Sequence, residues 1–315
     1  MTAHDQLAGA VPDGGLLDGP VAVLANPTAG RGRRRLLLPA VLERLGAAGR
    51  DVWLLAADTP DEARAACRDA VRDGAAALVT IGGDGTSHLA MQAVGGSRVA
   101  FGPVPAGTGN DFAVEAGYPD DPLAAADVIA AALAAGRTHT LDLARLTGAD
   151  GEQHWYGTVL AAGFDAIVNE RANRMNWPRG PRRYDLAILV ELARLRPRRY
   201  TLRLDGEEEH RFDAVLVAVG NCASYGGGMR ICPMADPADG KLDVVVAGAV
   251  SRSTLVRIKP QVYRGTHVTH PQVRTYRAHT VELHAEEIVG YADGERLARL
   301  PVTVTAVPGA LRLLR

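Results

Sequence analysis

The sequence predicts an α/β fold in which an N-terminal parallel-sheet domain is followed by a mainly antiparallel β C-terminal domain. Three observations support this prediction. Apolar, strand-like runs alternate with helical segments from Val21 to about residue 135; three of these runs end in polar loops that contain glycine; and short strand-like runs follow one another closely from about residue 140. Alternation is typical of parallel sheets with right-handed crossovers, whereas closely spaced strands favour antiparallel pairing.

The composition fits a chain of two domains. Of its 315 residues, 47% are hydrophobic and 23% are charged, which is enough to build two cores. The net charge of −1 excludes a general attraction to nucleic acid or membranes, so any such attraction has to come from a local patch. Cys67, Cys222 and Cys232 are odd in number and lack the spacing of a zinc site, which predicts buried, unpaired thiols in a reducing compartment.

Targeting and membrane-spanning segments are not predicted. No apolar run in the sequence approaches the roughly 18 residues that cross a bilayer. Residues 1–20 are rich in Gly, Asp and Pro and lack a basic start before an apolar block, so they predict a mobile tail rather than a signal peptide. The sequence therefore predicts a cytoplasmic protein.

The N-terminal domain is predicted over residues 21–140 and is completed by about residues 300–315. Its elements are apolar runs that stop at loop signals. Thr59 as N-cap, Pro60 in the first turn and Glu62 three residues after the cap predict a helix that opens with a capping box. The predicted strands are Val21–Ala25, Asp51–Ala56, Ala76–Ile81 and Val99–Val104, and further helices are predicted over Leu36–Leu45, from Ser87 onward and over Leu123–Ala135.

The C-terminal domain is predicted over residues 141–299 as a series of strands interrupted by one helical segment, Tyr184–Leu195. The pattern shows no internal repeat. The predicted strands are Thr140–Leu146, Trp155–Ala161, Tyr200–Leu204, Phe212–Val219, Leu242–Ala247, Thr280–Leu283 and, after residue 299, Pro301–Val307.

The loop Gly82-Gly83-Asp84-Gly85-Thr86 carries the strongest chemical signal. Ligands of parallel sheets bind at the carboxyl ends of the strands, and glycines let a phosphate approach the main chain. The helix predicted from Ser87 offers free N–H groups to an anion. A carboxylate repels phosphate, so Asp84 would serve by holding Mg²⁺ against the phosphates. The alternative is a tight turn with Asp84 as a helix cap.

Two further loops leave neighbouring strand ends. Asn26-Pro27-Thr28-Ala29-Gly30-Arg31 offers a turn and a basic residue, either Arg31 or Arg33, and Gly107-Thr108-Gly109-Asn110-Asp111 offers a hydroxyl and an amide. Each is also compatible with a plain strand–helix loop. Because three such loops follow in order, the sequence predicts a nucleotide site. The phosphate loop of P-loop proteins, the dinucleotide fingerprint and the protein-kinase motifs are absent from the sequence.

These loops resemble the signature of the diacylglycerol kinase catalytic domain family, which includes sphingosine and ceramide kinases and soluble bacterial lipid kinases. The resemblance runs from about Val21 to Arg315. Its further matches are Pro105–Phe112, Gly226-Gly227-Gly228-Met229, Pro233, Asp239-Gly240-Lys241-Leu242-Asp243 and Asp293-Gly294-Glu295.

The resemblance implies a lipid kinase of phospholipid biosynthesis that uses ATP and Mg²⁺. It would transfer the γ-phosphate to a lipid hydroxyl, with diacylglycerol as the leading acceptor and phosphatidic acid as the product. Alternatives are another lipid alcohol (a sphingoid, a ceramide or an isoprenoid alcohol), a soluble substrate as in NAD kinases, or a protein that binds nucleotide or lipid without catalysis. Residues 21–140 would bind ATP and residues 141–299 the lipid.

The resemblance also implies roles for individual residues. Asp293 would be the general base and Glu295 would assist at the nucleotide or metal, together with Asp84. A structural Mg²⁺ would take the Asp239 carboxylate and the carbonyls of Asp236 and Lys241. From the residues alone, Asp293-Gly294 and Asp239-Gly240 are equally compatible with ordinary turns. The implied ATP-binding residues are Asn26, Pro27, Thr28, Ala29, Gly30, Arg31, Thr59, Gly82, Gly83, Gly85, Thr86, Ser87, Gly107, Thr108 and Asn110, and Asp142 matches a family aspartate of the nearby polar network.

Three residues depart from the family pattern. His88-Leu89 stand where many members have Asn-Glu, and Val114 stands where an arginine is usual. His88 is interpreted as a packed or capping histidine. These departures affect the expected polar network rather than the reaction class.

The segment Arg171–Arg199 contains nine arginines against Asp185 and Glu191. Such a patch can attract anionic lipid, and Trp177 could lie at the level of the headgroups. The alternative is a solvated basic face with no target. The sequence predicts peripheral membrane contact through this segment and no nucleic-acid partner, and it leaves open a homodimer formed through an exposed strand edge.

Overall fold

The structure is a computed structural model. It describes residues 11–12, 17–25, 33–175, 177, 182–207 and 209–315. The chain divides into two units: unit 1 comprises Met1–Leu143, Pro237–Asp239 and Val307–Arg315, and unit 2 comprises Ala144–Asp236 and Gly240–Ala306.

Unit 1 is built on a parallel sheet. Its strands lie in the order β3-β2-β4-β5-β16, and each neighbouring pair is parallel. Every residue of β2, β4 and β5 is buried, as expected for strands covered on both faces. The strands are β2 (Val21–Ala25), β3 (Val52–Leu55), β4 (Ala77–Gly82), β5 (Ala100–Pro105) and the end of β16 (Val302–Leu313); a short β1 (Val11–Pro12) pairs with the start of β6 (Arg137–Gly148).

Helices connect these strands and pack as two pairs. The first pair is α1 (Arg33–Ala47) with α5 (Pro122–Ala134), and the second is α2 (Pro60–Arg72) with α3 (Asp84–Val94). A short α4 (Asp111–Glu115) follows β5. The predicted capping box is confirmed, because Thr59 Oγ1 accepts from the Glu62 amide at 3.2 Å while Glu62 bonds back to the cap. The prediction of a parallel sheet for this part of the chain is therefore confirmed.

Unit 2 is mainly antiparallel, as predicted. Its strand order is β15-β14-β8-β10-β9-β13 and then the first half of β16, with β11 on β10, β12 on β11 and β7 on β6. Tyr156 and Tyr200 are fully buried in its core. The strands are β7 (Gln153–Tyr156), β8 (Val159–Gly163), β9 (Arg198–Leu204), β10 (His210–Gly220), β11 (Leu242–Gly248), β12 (Val273–Ala278), β13 (Thr280–Ala285), β14 (Val289–Ala292) and β15 (Glu295–Arg299).

Two sequence predictions for unit 2 are wrong. The sequence predicts one helix, but the structure contains α6 (Phe164–Arg174) and α8 (Arg252–Arg264) besides α7 (Arg182–Ala193). The sequence prediction missed α8 because its β-branched and proline residues obscure the helical pattern. The predicted strand Trp155–Ala161 is two strands, β7 and β8, separated at Gly157-Thr158.

Two further sequence expectations concern the membrane and the cysteines. Within the described ranges, no helix has both the length and the apolar character that crossing a bilayer requires. Cys67, Cys222 and Cys232 are free and buried, which confirms the prediction of buried, unpaired thiols.

Candidate functional site

The strand order of unit 1 defines where a ligand can bind. From β2 the chain moves to one side to form β3 and then to the other to form β4 and β5. The carboxyl ends of β2 and β4 therefore flank the switch point, where ligands of open α/β sheets bind. The predicted loop after β2, with Asn26, Pro27, Thr28, Ala29, Gly30 and Arg31, lies outside the described residues.

The loops that follow β4 and β5 are packed backbone against backbone. A side-chain carbon on Gly83 would lie 2.7 Å from the Gly109 carbonyl oxygen and 3.1 Å from the Gly107 Cα. The Asp84 amide donates to the Gly109 carbonyl at 3.1 Å. Glycine is therefore required here by close approach, so that these two predicted loops form one surface.

Two amides of the loop after β4, those of Gly83 and Gly85, indicate an anion-binding site. The Thr86 and Ser87 amides both donate to the Gly83 carbonyl, at 3.0 and 3.1 Å. By contrast, the amides of Gly83 and Gly85 have no acceptor among the residues that the structure describes. Unsatisfied donors at a helix N-terminus favour a bound anion. The predicted donors are thereby narrowed from the whole loop to these two glycines.

Asp84 lies in the first turn of α3 and holds the next loop. Its Oδ1 accepts from the Phe112 amide, near the start of α4, at 3.1 Å. The carboxylate thus caps α4 from outside that helix, whereas the N-cap of its own helix α3 is Gly83, so the alternative that the sequence left open takes a different form. This bond also fixes its orientation, so a capping role and a metal-binding role are compatible.

Other predicted residues of unit 1 have defined local roles. Asn110 Oδ1 accepts from the Gly107 amide at 3.1 Å and closes its loop, whereas Thr108 is exposed. Thr59, exposed after β3, caps α2. His88 is buried, with Nε2 3.3 Å from Gln92 Nε2, as expected for a packed histidine.

Asp142 ties three segments of unit 1 together. Its Oδ1 accepts from the Gly309 amide at 2.8 Å, and its own amide donates to the Pro237 carbonyl at 2.7 Å. The side chain is buried. The polar network implied for Asp142 thus has main-chain partners from distant parts of the sequence.

In unit 2, Asp293 occupies the turn of the β14–β15 hairpin. Asp293 and Gly294 have φ values of +52° and +82°, which are typical of a type I′ turn. The Asp293 side chain nevertheless points inward and is 5% exposed. Its Oδ2 accepts from the Gly157 amide at 3.1 Å, and its Oδ1 accepts from the Thr158 amide at 3.0 Å and hydroxyl at 2.6 Å.

These contacts identify residues that the sequence prediction missed. Gly157 and Thr158 form the break between β7 and β8, and the Asn221 amide donates to the Thr158 carbonyl at 2.9 Å. No spacing or motif links residues 157–158 to Asp293. The break itself, a glycine within an apolar run, was the available signal. Glu295 is exposed at the start of β15.

The predicted metal ligands Asp236, Asp239 and Lys241 lie in the connection between β10 and β11. Asp236 and Lys241 belong to unit 2, and Asp239 belongs to unit 1. Burial and the nearby charge of Asp236 raise the pKa of the Asp243 carboxyl, whose buried Oδ2 accepts no hydrogen bond and lies 3.4 Å from Arg277 Nε. Arg277 therefore offsets part of the negative charge of Asp236 and Asp243. Within the described ranges, no three His, Cys, Asp or Glu side chains cluster as a metal cage, and the ligand roles implied for Asp236, Asp239 and Lys241 stay predictions.

Comparisons with known proteins agree over nearly the whole chain. Residues 20–146 match the diacylglycerol kinase catalytic domain, and residues 158–315 match the YegS C-terminal NAD kinase beta sandwich-like domain. A protein of Mycobacterium tuberculosis named diacylglycerol kinase is 44% identical over 298 residues, covering 94% of this chain and 95% of its own.

Solved structures share the fold. A diacylglycerol kinase from Bacillus anthracis is 20% identical with a TM-score of 0.70, covering 94% of this chain and 96% of its own. An NAD kinase from Archaeoglobus fulgidus, solved in complex with ATP, is 14% identical with a TM-score of 0.53, covering 94% of this chain and 93% of its own. At these identities the two structures establish the architecture alone.

Proposed function

Because the chain belongs to the diacylglycerol kinase family and is thus a lipid kinase, we propose that it transfers the γ-phosphate of ATP to diacylglycerol, giving phosphatidic acid. The 44%-identical relative named diacylglycerol kinase supports this acceptor. The observation that carries the proposed chemistry is the buried Asp293 carboxylate held by three donors. A lipid acceptor sets the reaction at a membrane surface, and peripheral contact from the cytoplasm is part of the proposal.

The loops of unit 1 would bind the nucleotide. The Gly83 and Gly85 amides have the donors that a phosphate oxygen needs, and the fused glycine loops leave no side chain in its way. When bound, Mg²⁺ would neutralise charge on the phosphates, and Asp84 is the carboxylate that would hold it there. Glu295, exposed beside the Asp293 turn, would assist at the nucleotide or metal.

Asp293 would accept the proton of the lipid hydroxyl. Phosphoryl transfer needs positioning and charge neutralisation more than covalent chemistry, and a carboxylate within hydrogen-bond reach of an alcohol is a suitable acceptor. Thr158 and Gly157 would fix its orientation before the substrate arrives. The proposal thus assigns phosphate binding to unit 1 and proton transfer to unit 2.

Transfer of labelled γ-phosphate from ATP tests the proposal. The acceptors are diacylglycerol, ceramide, a sphingoid base and an isoprenoid alcohol in mixed micelles, and NAD in solution, each with Mg²⁺ and with a chelator. Label in phosphatidic acid that requires Mg²⁺ is the expected result. Label in another lipid would replace the acceptor, label in NAD would replace the substrate class, and transfer that survives the chelator would remove Mg²⁺ from the proposal.

A further inference from the structure

Helices α7 and α8 border a cleft in unit 2 that no part of the proposed chemistry uses. Its volume is about 560 Å³. Two apolar side chains at the cleft are largely exposed, Leu189 of α7 at 64% and Val256 of α8 at 56%. Apolar side chains that are exposed together at a concave surface are a feature of interaction sites. The lining residues are Leu189, Leu192, Ala193, Arg252, Ser253, Val256 and Arg257.

The exposed face of α8 is both apolar and basic. Leu255 and Val262 pack against the core of unit 2, and Ile258 is buried. Val256 lies three residues before Lys259 and seven before Tyr263, so the three share a face of the helix, and all three are exposed. The helix is therefore amphipathic, with apolar side chains interspersed among cations on its outer side.

The cations of α8 are not neutralised within the described part of the chain. Residues 252–264 include no Asp or Glu. Among the described residues, no carboxylate lies within ion-pair distance of its four cations, Arg252, Arg257, Lys259 and Arg264. These charges are consequently available to an external anion.

The arginine-rich segment predicted from the sequence differs in this respect. Arg171 pairs with Glu191, Arg174 with Glu170 at 2.5 Å, and Arg198 with Glu287 at 3.6 Å. A count of arginines over Arg171–Arg199 therefore overstates the charge that this segment offers. The helix α8, which the sequence prediction missed, supplies the basic side of the cleft.

We propose that the α7–α8 cleft is the face by which unit 2 docks on an anionic lipid surface. Arg252 and Arg257 would contact the headgroups, and Leu189 and Val256 would enter the interface below them. Charge complementarity selects this occupant, because interspersed cations and apolar side chains match the boundary between anionic headgroups and acyl chains. The inference rests on the proposed function in that a lipid acceptor requires access to a membrane.

Co-sedimentation of the full chain with vesicles, without ATP, tests the docking face. The vesicles are phosphatidylcholine alone or an equal mixture with phosphatidylglycerol. The variants are Arg252→Glu with Arg257→Glu, and Leu189→Ser with Val256→Ser. The control, Arg68→Glu with Arg98→Glu, makes the same charge change at exposed positions of unit 1. Circular dichroism and thermal melting confirm that each variant is folded.

The wild type should bind the anionic vesicles and not the neutral ones. Because each basic residue near such a surface contributes about 1 kcal/mol, the double charge reversal should weaken binding by about tenfold or more. The Leu189–Val256 variant should also bind less, and the control should match the wild type. Wild-type protein that ignores anionic vesicles, or a double charge reversal that binds equally well, would overturn the proposal.

Two further measurements separate the alternatives. If the cleft variants change the oligomeric state in size-exclusion chromatography without lipid, the face is an interface between copies and the lipid proposal is wrong. Transfer of phosphate to a short-chain diacylglycerol dispersed below its micelle concentration should be retained in both cleft variants. If the wild type transfers no phosphate to this substrate but still binds anionic vesicles, the proposed function is refuted and the docking face is retained.

Discussion

The Asp293 carboxylate accepts hydrogen bonds from both the amide and the hydroxyl of Thr158, 135 residues earlier in the chain. Asp293 lies in a left-handed turn, a conformation that asparagine and aspartate tolerate better than most residues. An aspartate that only formed the turn could point to solvent, but this one is buried. Thr158 is therefore expected to be a positioning residue for Asp293.

Thr158→Val should lower kcat about ten- to hundredfold while leaving the KM for ATP close to that of the wild type. Removing a hydrogen bond to a charged group costs about 1.5–3 kcal/mol, and the loss falls on the orientation of Asp293. Steady-state kinetics with ATP and diacylglycerol measures the effect. Thr158→Ser keeps the hydroxyl and should recover most of the rate. Equal kcat values for the valine variant and the wild type would contradict this role.

Gly83→Ala should abolish protection of the protein by ATP. The new methyl group would lie 2.7 Å from the Gly109 carbonyl oxygen, so the two glycine loops would have to separate. Thermal shift with and without ATP and Mg²⁺ provides the readout. Gly46→Ala, in α1 with open space around the added carbon, is the matched control and should retain protection. Full ATP protection in Gly83→Ala would show that the loops do not bind the nucleotide.

Two substitutions at Asp84 should separate its capping of α4 from its proposed role in binding Mg²⁺. Asp84→Asn keeps an oxygen that can accept from the Phe112 amide but loses the charge, so it should melt near the wild-type temperature with most activity lost. Asp84→Ala loses the cap as well and should be less stable by about 1 kcal/mol. Activity titrated with Mg²⁺, beside urea unfolding, measures both effects. Wild-type Mg²⁺ dependence in Asp84→Asn would rule out the metal role.

Ionisation of Asp165 should make the folded protein less stable as the pH rises from about 4 to about 7. The Asp165 carboxyl lies in the first turn of α6 and accepts a hydrogen bond from the Tyr225 hydroxyl. The residue as a whole is half-buried, but protein surrounds its carboxyl group, and this burial raises its pKa to about 7. The folded state therefore binds a proton more tightly than the unfolded state, so deprotonation disfavours folding across this range.

Asp165→Asn mimics the protonated form and should flatten this dependence. Urea unfolding at pH 5 and pH 8 should show that the variant gains stability relative to the wild type at the higher pH. Asp120→Asn, at an exposed position, serves as the control and should track the wild type. A variant whose stability falls between the two pH values as much as that of the wild type would refute the prediction.

Much of the unit 1 fold could be predicted because its signals are local. The strand Val21–Ala25 and the capping box at Thr59 are where the sequence predicts them, since each depends on residues within a few positions. The convergence of the loops after β4 and β5 followed from parallel strands alone. The backbone contact between these loops at Gly83 and Gly107 could not be predicted, because it depends on how adjacent strands end.

The residues around Asp293 show why the rest could not be predicted. The Asp293-Gly294 pair correctly indicates a turn, but its burial depends on amides of Gly157 and Thr158. Those amides are turned toward it by a break that interrupts an apolar run. The cleft depends in the same way on α8, where Pro260 and β-branched residues oppose a helical prediction and tertiary packing stabilises the helix.

Transfer of labelled γ-phosphate from ATP to diacylglycerol by the wild type and by Asp293→Asn, side by side, tests the central claim most directly. Circular dichroism and ATP-dependent thermal shift on both proteins establish that the variant is folded and binds nucleotide. The account predicts label in phosphatidic acid with the wild type, and a loss of at least about a hundredfold in the variant, as expected when a general base is removed. A folded Asp293→Asn protein that transfers phosphate at the wild-type rate would contradict it.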